Sequence, residues 1–328
     1  MIAVDANGAD QGPAAVAEGA RLSGIEVLLF GPAGELGNGV EVVDAPEAID
    51  SGPEPVRAVR EQPDASIVQA ASAVADGRAD ALVSAGSTGP TLAAATLNIK
   101  RIRGVHRPAL AVLVPIPGSP VLFLDCGANV EVRPEHLVQF AFMGAGFLEA
   151  VHGVERPSVG LLSVGEEQGK GTPDVLEAGE RLEASDLDYV GNVEGFDLPG
   201  AGANVIVSDG FTGNVALKVL EGTSKVVRDA IRERIRSGPV STLGGLLIRG
   251  KVERLREELD PEEVGGAILL GLRKPVVVAH GSFGPKGIAS AIRLARRAVD
   301  ERMVERTRQA LEAAGALRSA PTASVDSR

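Results

Sequence analysis

Six glycine-rich polar strings, spread from one end of the chain to the other, constrain its fold more than any other feature. They are Val4-Asp5-Ala6-Asn7-Gly8-Ala9-Asp10, Ser84-Ala85-Gly86-Ser87-Thr88-Gly89, Asp125-Cys126-Gly127-Ala128-Asn129, Gly165-Glu166-Glu167-Gln168-Gly169-Lys170-Gly171, Ser208-Asp209-Gly210-Phe211-Thr212-Gly213-Asn214 and His280-Gly281-Ser282. Each follows an apolar run of strand length. A strand, then Gly with Ser, Thr, Asp or Asn, then a helix is how an α/β protein builds a polar site at the carboxyl edge of its sheet. One such string says little. Six in register with strands describe a cleft assembled from many loops, which is an enzyme pattern.

The apolar runs predict buried strands at Ile2–Asp5, Ile25–Phe30, Val40–Val43, Ala81–Ser84, Ala109–Val114, Val121–Asp125, Val159–Val164, Val205–Val207 and Val276–Ala279. Most are continuous rather than alternating, as expected for strands covered on both faces. Helical patterns lie between them, at Ala65–Ala75 and Pro134–Ala150. Such alternation implies an α/β protein with a mainly parallel or mixed sheet and helices on both faces. From Phe211 to Leu259 the pattern changes to two long helices, Asn214 to Ile235 and Leu243 to Leu259, broken at Ser237-Gly238-Pro239. This excursion reads as a dimer arm or lid, or as an ordinary helical layer. The end from Leu317 on is rich in Ser, Ala, Pro and Thr and is expected to be disordered.

The 328 residues suffice for one large domain or two lobes. Aromatic residues make up 3% and the net charge is −11, which exclude base-stacking platforms and a general nucleic-acid binder. Anions would have to be held by local backbone N–H groups and a few Lys or Arg. Cys126 is the only cysteine, so no intramolecular disulfide can form. No signal-peptide pattern or long apolar span is present, so a cytoplasmic location is expected.

The candidate chemistry follows from the loops. Ser84–Gly89 ends a strand and opens a helix, with small residues and hydroxyls that suit a phosphate or a carbonyl oxygen, or serve as a plain cap. Lys170 is a point charge within reach of a phosphate, or a solvated loop residue. Asp125 and Asn129 hold a substrate or each other. Asp209 and Asn214 open a long helix, where Asp also serves as a cap. Cys126 reads as small buried packing rather than a nucleophile. His280 is the best titrating candidate of the four histidines, and Arg107 outranks His106 as an anion ligand. No spacing reads as a metal site, and no GxGxxG follows the first strand.

Taken together, these strings resemble the bacterial phosphate acyltransferases of phospholipid synthesis (the PlsX family) over almost the whole length. The resemblance rests on Val4-Asp5-Ala6, Val83-Ser84-Ala85-Gly86 with Thr88-Gly89, Arg107-Pro108-Ala109, Leu124-Asp125 with Gly127-Ala128-Asn129, Gln139-Phe140-Ala141 and Lys170-Gly171. It continues through Gly191-Asn192-Val193-Glu194-Gly195, Asp209-Gly210-Phe211-Thr212-Gly213-Asn214, Gly265-Gly266-Ala267 and His280-Gly281-Ser282. Asn7, Ser87 and Phe283 stand where the family usually has other residues.

The resemblance implies transfer of a long-chain fatty acyl group from acyl carrier protein to inorganic phosphate. The acyl phosphate product would feed a membrane glycerol-3-phosphate acyltransferase. It further implies a three-layer α/β/α, isocitrate/isopropylmalate-dehydrogenase-like two-lobed fold over residues 1–316. A helical dimerisation arm would occupy about 211–260, with a homodimer, peripheral contact with an anionic membrane, and no cofactor. Carried onto this chain, catalysis would fall to Asp125, Asn129, Asp209, Asn214 and His280. Phosphate and substrate would be bound by Asp5, Ser84, Gly86, Ser87, Thr88, Gly89, Arg107 and Lys170. The alternatives are a short-chain phosphotransacetylase using coenzyme A, a metal- and NAD-dependent dehydrogenase, and a non-catalytic membrane or carrier-protein scaffold.

Overall fold

Ile2, Ala3 and Val4 are all buried, but in different places: Ile2 and Val4 pack in one apolar core and Ala3 in another. Successive strand residues point to opposite faces, so a run apolar at every position is covered on both sides. The computed structural model describes residues 1–116, 121–200 and 202–318. Its strands are β1 (Ile2–Asp5), β2 (Val27–Gly31), β3 (Glu41–Asp44), β4 (Ala81–Ser84), β5 (Ala109–Val114), β6 (Val121–Leu124), β7 (Ser158–Leu162), β8 (Asp188–Val193), β9 (Val205–Val207), β10 (Ala267–Leu270) and β11 (Val276–Val278). They form one sheet in the order β3-β2-β1-β4-β11-β10-β5-β6-β9-β7-β8.

The helices are α1 (Pro13–Ser23), α2 (Ala33–Leu36), α3 (Pro55–Glu61), α4 (Ser66–Ala75), α5 (Thr88–Ala94), α6 (Pro134–Phe147), α7 (Pro173–Glu183), α8 (Gly210–Arg236), α9 (Pro239–Glu258), α10 (Pro261–Val264), α11 (Pro285–Asp300) and α12 (Met303–Ala313). Side chains of α1, α6, α7, α11 and α12 fill the core on one face of the sheet. Those of α4 and α5, with Leu217 and Leu220 of α8, pack on the other. The result is the expected three-layer α/β/α arrangement.

Strand direction organises everything that follows. β1 to β4 and β11 are mutually parallel. β10 is antiparallel to both of its neighbours, β11 and β5. β6 is antiparallel to β5, and β9, β7 and β8 run with β6. The chain therefore reverses direction partway across one sheet.

Two strands lie outside the nine runs read from the sequence. β8 (sequence DYVGNV) is an edge strand whose residues are mostly half-exposed or exposed, so it needs no apolar run. β10 has only four residues and directly follows Gly265-Gly266, both at positive φ. The other strands appear within a residue or two of expectation. Leu317 and Arg318, the first residues of the expected tail, are held in place. Leu317 packs against the core, and the Arg318 N–H donates to the Gly104 carbonyl at 2.9 Å. The rest of that tail, 319–328, lies outside the described residues.

The two long helices are present and pack on each other. Only Gly210 and Gly213 of α8 are buried, and no residue of α9 is. Leu247 is 81% exposed and Val240 84%. Among the described residues no other segment covers this apolar face. No described helix is long and apolar enough to cross a membrane.

The seat of α8 depends on Gly213. A Cβ there would lie 1.9 Å from the Asp125 carbonyl oxygen and 3.0 Å from its carbon, both backbone atoms that cannot swing aside. Gly213→Ala should therefore destabilise the protein by at least the 1–3 kcal/mol or so typical of overpacking. A lowered urea midpoint would show this, and a wild-type midpoint would refute the close seating.

Candidate functional site

Strand direction sorts the polar loops into two groups. Asp5, Ser84 and His280 stand at or just beyond the carboxyl ends of the parallel neighbours β1, β4 and β11. The loops after β6, β7 and β9, holding Asp125–Asn129, Lys170 and Asp209–Asn214, follow strands that run the other way. Arg107 belongs with this second group because it precedes β5, which is antiparallel to β6. Adjacent strands rotate by about 20–25°, so the four steps from β4 to β6 turn one group by about a right angle against the other. Among the described residues no hydrogen bond joins the two groups. Lys170 thus stands with Asp209, not with Ser84–Gly89.

The first group is built around a buried carboxylate. Asp5 is 3% exposed. Its oxygens accept the Ser66 hydroxyl at 2.6 Å, the Ser84 hydroxyl at 2.7 Å and the Asn7 N–H at 3.3 Å. Burial pushes its pKa up to about 6, against these three bonds, which pull it down. Ser84 Oγ in turn accepts the Gly86 N–H (3.1 Å) and the Thr91 hydroxyl (3.3 Å). Asp5 therefore shapes the Ser84–Gly89 turn from below. A small cleft lies over it, lined among others by Asn7, Ser66, Gly86, Ser87 and Thr91. Ser87 is the cap residue of α5, and its hydroxyl pairs with that of Ser51 at 2.7 Å. Thr88 and Gly89 open the helix, half-exposed. Ser66 went unnoticed in the sequence because it opens a helix that reads as purely amphipathic.

His280 is exposed and adjoins this group through the strand pair, since the Ala279 N–H donates to the Ser84 carbonyl at 2.8 Å. Its Nδ1 lies 2.8 Å from Ser282 Oγ and accepts the Ser282 N–H at 3.3 Å. This network assigns the proton of the neutral ring to Nε2, which is left free to donate.

The second group is more tightly bonded. Asp125 is fully buried and accepts four donors: the Leu110 and Ala128 N–H groups on one oxygen, and the Asn129 N–H and side-chain amide on the other. Burial raises its pKa and these bonds lower it. The Asn129 amide also donates to the Pro108 carbonyl at 2.7 Å, which ties the loop to Arg107. Asp209 caps α8 by accepting the Phe211 and Thr212 N–H groups at 3.0 and 2.8 Å. Asn214 is exposed, and its amide lies over Gly127. Arg107 and Lys170 are exposed. Cys126 is buried, its thiol contacts the Phe123 carbonyl at 3.2 Å, and burial pushes its pKa well up, so the thiol is protonated at neutral pH.

His106, Glu135 and His136 bring potential metal-ligand atoms within 4.8 Å of one another. His136 Nδ1 already accepts the Arg133 N–H at 3.1 Å, which leaves its protonated nitrogen outward. Burial lowers the pKa of both imidazoles.

The three-layer fold, with polar loops after opposed strand sets, places the chain in a class of α/β folds that solved structures share. The fold is similar to a phosphotransacetylase from Streptococcus pyogenes, with TM-score 0.57 and 20% identity over 95% of this chain and 94% of that one. It is also similar to a 4-hydroxythreonine-4-phosphate dehydrogenase from Klebsiella pneumoniae, with TM-score 0.52 and 14% identity over 91% and 99%. The sequence model of a family described as a fatty acid synthesis protein matches residues 1–306. A phosphate acyltransferase from a Geobacillus species is 43% identical over 323 residues, covering 95% of this chain and 98% of that protein. A second, from Desulfitobacterium hafniense, is 40% identical over 324 residues, covering 94% and 97%. The chain belongs to this phosphate acyltransferase family and is an acyltransferase.

The raised pKa of Asp5 has a thermodynamic consequence. A carboxyl that holds its proton more tightly when folded contributes stability at low pH that is lost as pH rises through about 4 to 6. A shift of two units corresponds to about 3 kcal/mol. Asp5→Asn should lack this component, so its stability relative to wild type should rise with pH across that window. Parallel urea-midpoint profiles for the two proteins would contradict the buried carboxyl.

Proposed function

We propose that the protein transfers a long-chain acyl group from acyl carrier protein to inorganic phosphate and releases acyl phosphate for phospholipid synthesis. The observation that supports this reading best is the identity of at least two residues in five with named phosphate acyltransferases along almost the whole chain. The two loop groups supply matching chemistry. Phosphate lies on the Ser84–Gly89 turn. The thioester lies against Asn214, which orients its carbonyl, beside the loop that the Asn129 amide ties to Pro108, with Arg107 and Lys170 as the cations of that wall.

A phosphate oxygen attacks the thioester carbon and its electron pair forms the new C–O bond. The carbonyl oxygen becomes an oxyanion, toward which His280 donates Nε2–H. Collapse breaks the C–S bond, and the thiolate leaves and takes a proton. Phosphate is itself the nucleophile, so no enzyme nucleophile is required, in keeping with a protonated Cys126. The resulting acyl phosphate is the substrate for a membrane glycerol-3-phosphate acyltransferase. The exposed apolar side chains of α8 and α9 serve a homodimer. Arg249, Lys251, Arg254 and Arg256 beside them also suit an anionic bilayer surface, giving a cytoplasmic enzyme with peripheral membrane contact.

Thiol release from acyl carrier protein should depend on added phosphate. His280→Ala should lower kcat by about 10²–10³-fold, the usual cost of one oxyanion donor. Lys170→Ala should raise the KM for the carrier thioester more than that for phosphate. Release without phosphate, or a coenzyme A thioester preferred over the carrier, would replace the reading.

The arm is tested with Leu246→Glu/Leu247→Glu. Loss of the dimer mass assigns the face to a second copy, and loss of co-sedimentation with anionic vesicles assigns it to the bilayer. If neither changes, the arm has neither role.

A further inference from the structure

The net charge of this chain is −11, yet six arginines crowd one region of its surface. Arg101, Arg103, Arg107, Arg133, Arg273 and Arg318 are all exposed. They come from four separate stretches of sequence, and the backbone brings them together. Arg101 bridges Leu272 across strands, and the Arg273 N–H donates to the Lys100 carbonyl at 3.0 Å. The Arg273 guanidinium donates to the Arg101 carbonyl at 3.1 Å, and Arg101 donates to the His106 carbonyl. Arg318 is fixed through the Gly104 carbonyl. Gln139 binds that same carbonyl (3.0 Å), the Ala316 carbonyl (2.7 Å) and the His106 N–H (2.8 Å). The fields of Arg101, Arg133 and Arg318 act on His106, and those of Arg107 and Arg133 on His136.

Ion pairs elsewhere on the surface join arginines to carboxylates three or four residues away, as at Arg57, Arg181 and Arg308. Among the described residues none of these six arginines has a carboxylate oxygen within 4.0 Å. Glu135 is the nearby acid, and it feels Arg133. Uncompensated guanidinium groups on a rigid backbone form a surface for carboxylates, which they bind in bidentate pairs.

We propose that this arginine surface docks the acidic face of the carrier protein that delivers the acyl thioester, an inference that rests on the reaction proposed above. Two observations favour a folded acidic protein over a bilayer. The apolar residues interleaved with the arginines, Ile102, Val105 and Leu272, are buried, so no apolar face is offered to lipid. Most of the large exposed apolar side chains lie instead on α8 and α9, with Val130, beside Asn129, a single one near this surface. Position argues the same way. The surface is continuous with the thioester wall, because the Pro108 carbonyl next to Arg107 holds the Asn129 amide. A carrier seated here presents its tethered acyl group beside Asn129 and Asn214. Attraction between such surfaces speeds encounter and fades with added salt.

The test is Arg103→Glu/Arg273→Glu/Arg318→Glu, three sites outside the reacting groups. Binding of the carrier protein to wild type and variant is measured by calorimetry at low and high salt. Turnover is measured with acyl carrier protein and with a small acyl thioester of N-acetylcysteamine. The expected result is at least a tenfold loss of carrier affinity and the same rise in carrier KM. Salt should weaken wild-type binding, and kcat/KM for the small thioester should stay unchanged. Carrier affinity unaltered by charge reversal, or a wild type that turns over the small thioester without binding the carrier, would overturn the docking surface. Carrier binding retained with vesicle binding lost would reassign the arginines to lipid and overturn it equally. A wild type that binds the carrier through these arginines but makes acyl phosphate from neither donor would support the surface and refute the reaction instead.

Discussion

The buried carboxylate of Asp125 is the interaction on which most of the second half of the chain depends. Its two oxygens collect four N–H donors from the start of β5, the Ala128–Asn129 turn and the Asn129 side chain. An ionised group without water is tolerable only when its lone pairs are filled in this way. The same loop then accepts α8: the Asn129 carbonyl takes the Gly210 N–H at 2.7 Å, and Gly213 lies flush against the Asp125 backbone. One side chain thus connects the sheet, the entry to α6 and the base of the helical arm.

This changes how the acidic site residues are understood. Read as a sequence, Asp125 and Asp209 are chemical candidates, because acids after strands often do chemistry. In the structure, Asp125 has its four donors and Asp209 caps the longest helix. The groups left with free capacity are Asn214, the Nε2 of His280, and the cations Arg107 and Lys170. A division follows between residues that build the walls and residues that face the substrate. Asp5 occupies an intermediate position: it is wholly enclosed, yet through Ser84 it shapes the Ser84–Gly86 turn that opens onto the cleft, and through Ser66 and Asn7 it holds the opposite lining.

The charge distribution follows a similar logic. Among the described residues ten Lys and Arg side chains of this acidic chain form ion pairs, seven of them within a turn of helix, where such pairs are worth only about 0.3–0.5 kcal/mol each. The arginines near Gly104 and Gly271 escape that arrangement because they sit in loops and at strand ends, where no i+3 or i+4 neighbour exists to pair with them.

The sequence alone determined the layered architecture, nine of the eleven strands and the long helices of the arm. These depend on local signals: continuous apolar runs, helical periodicity, and glycine with small polar residues where strands end. It also located the polar loops, since loop chemistry is written in consecutive residues. It did not reveal β8, because an edge strand can be polar; β10 is a four-residue apolar run like β4, legible in the same way but masked by the paired glycines before it. Strand direction and order were likewise decided only by tertiary structure. An apolar run reads the same whether its neighbour is parallel or antiparallel, so the reversal across β10 and β5 was invisible, and with it the division of the site residues into two groups. The gathering of arginines from residues 101, 133, 273 and 318 was hidden for the same physical reason: proximity between distant segments comes from hydrogen bonding and burial across the fold, which no local pattern records.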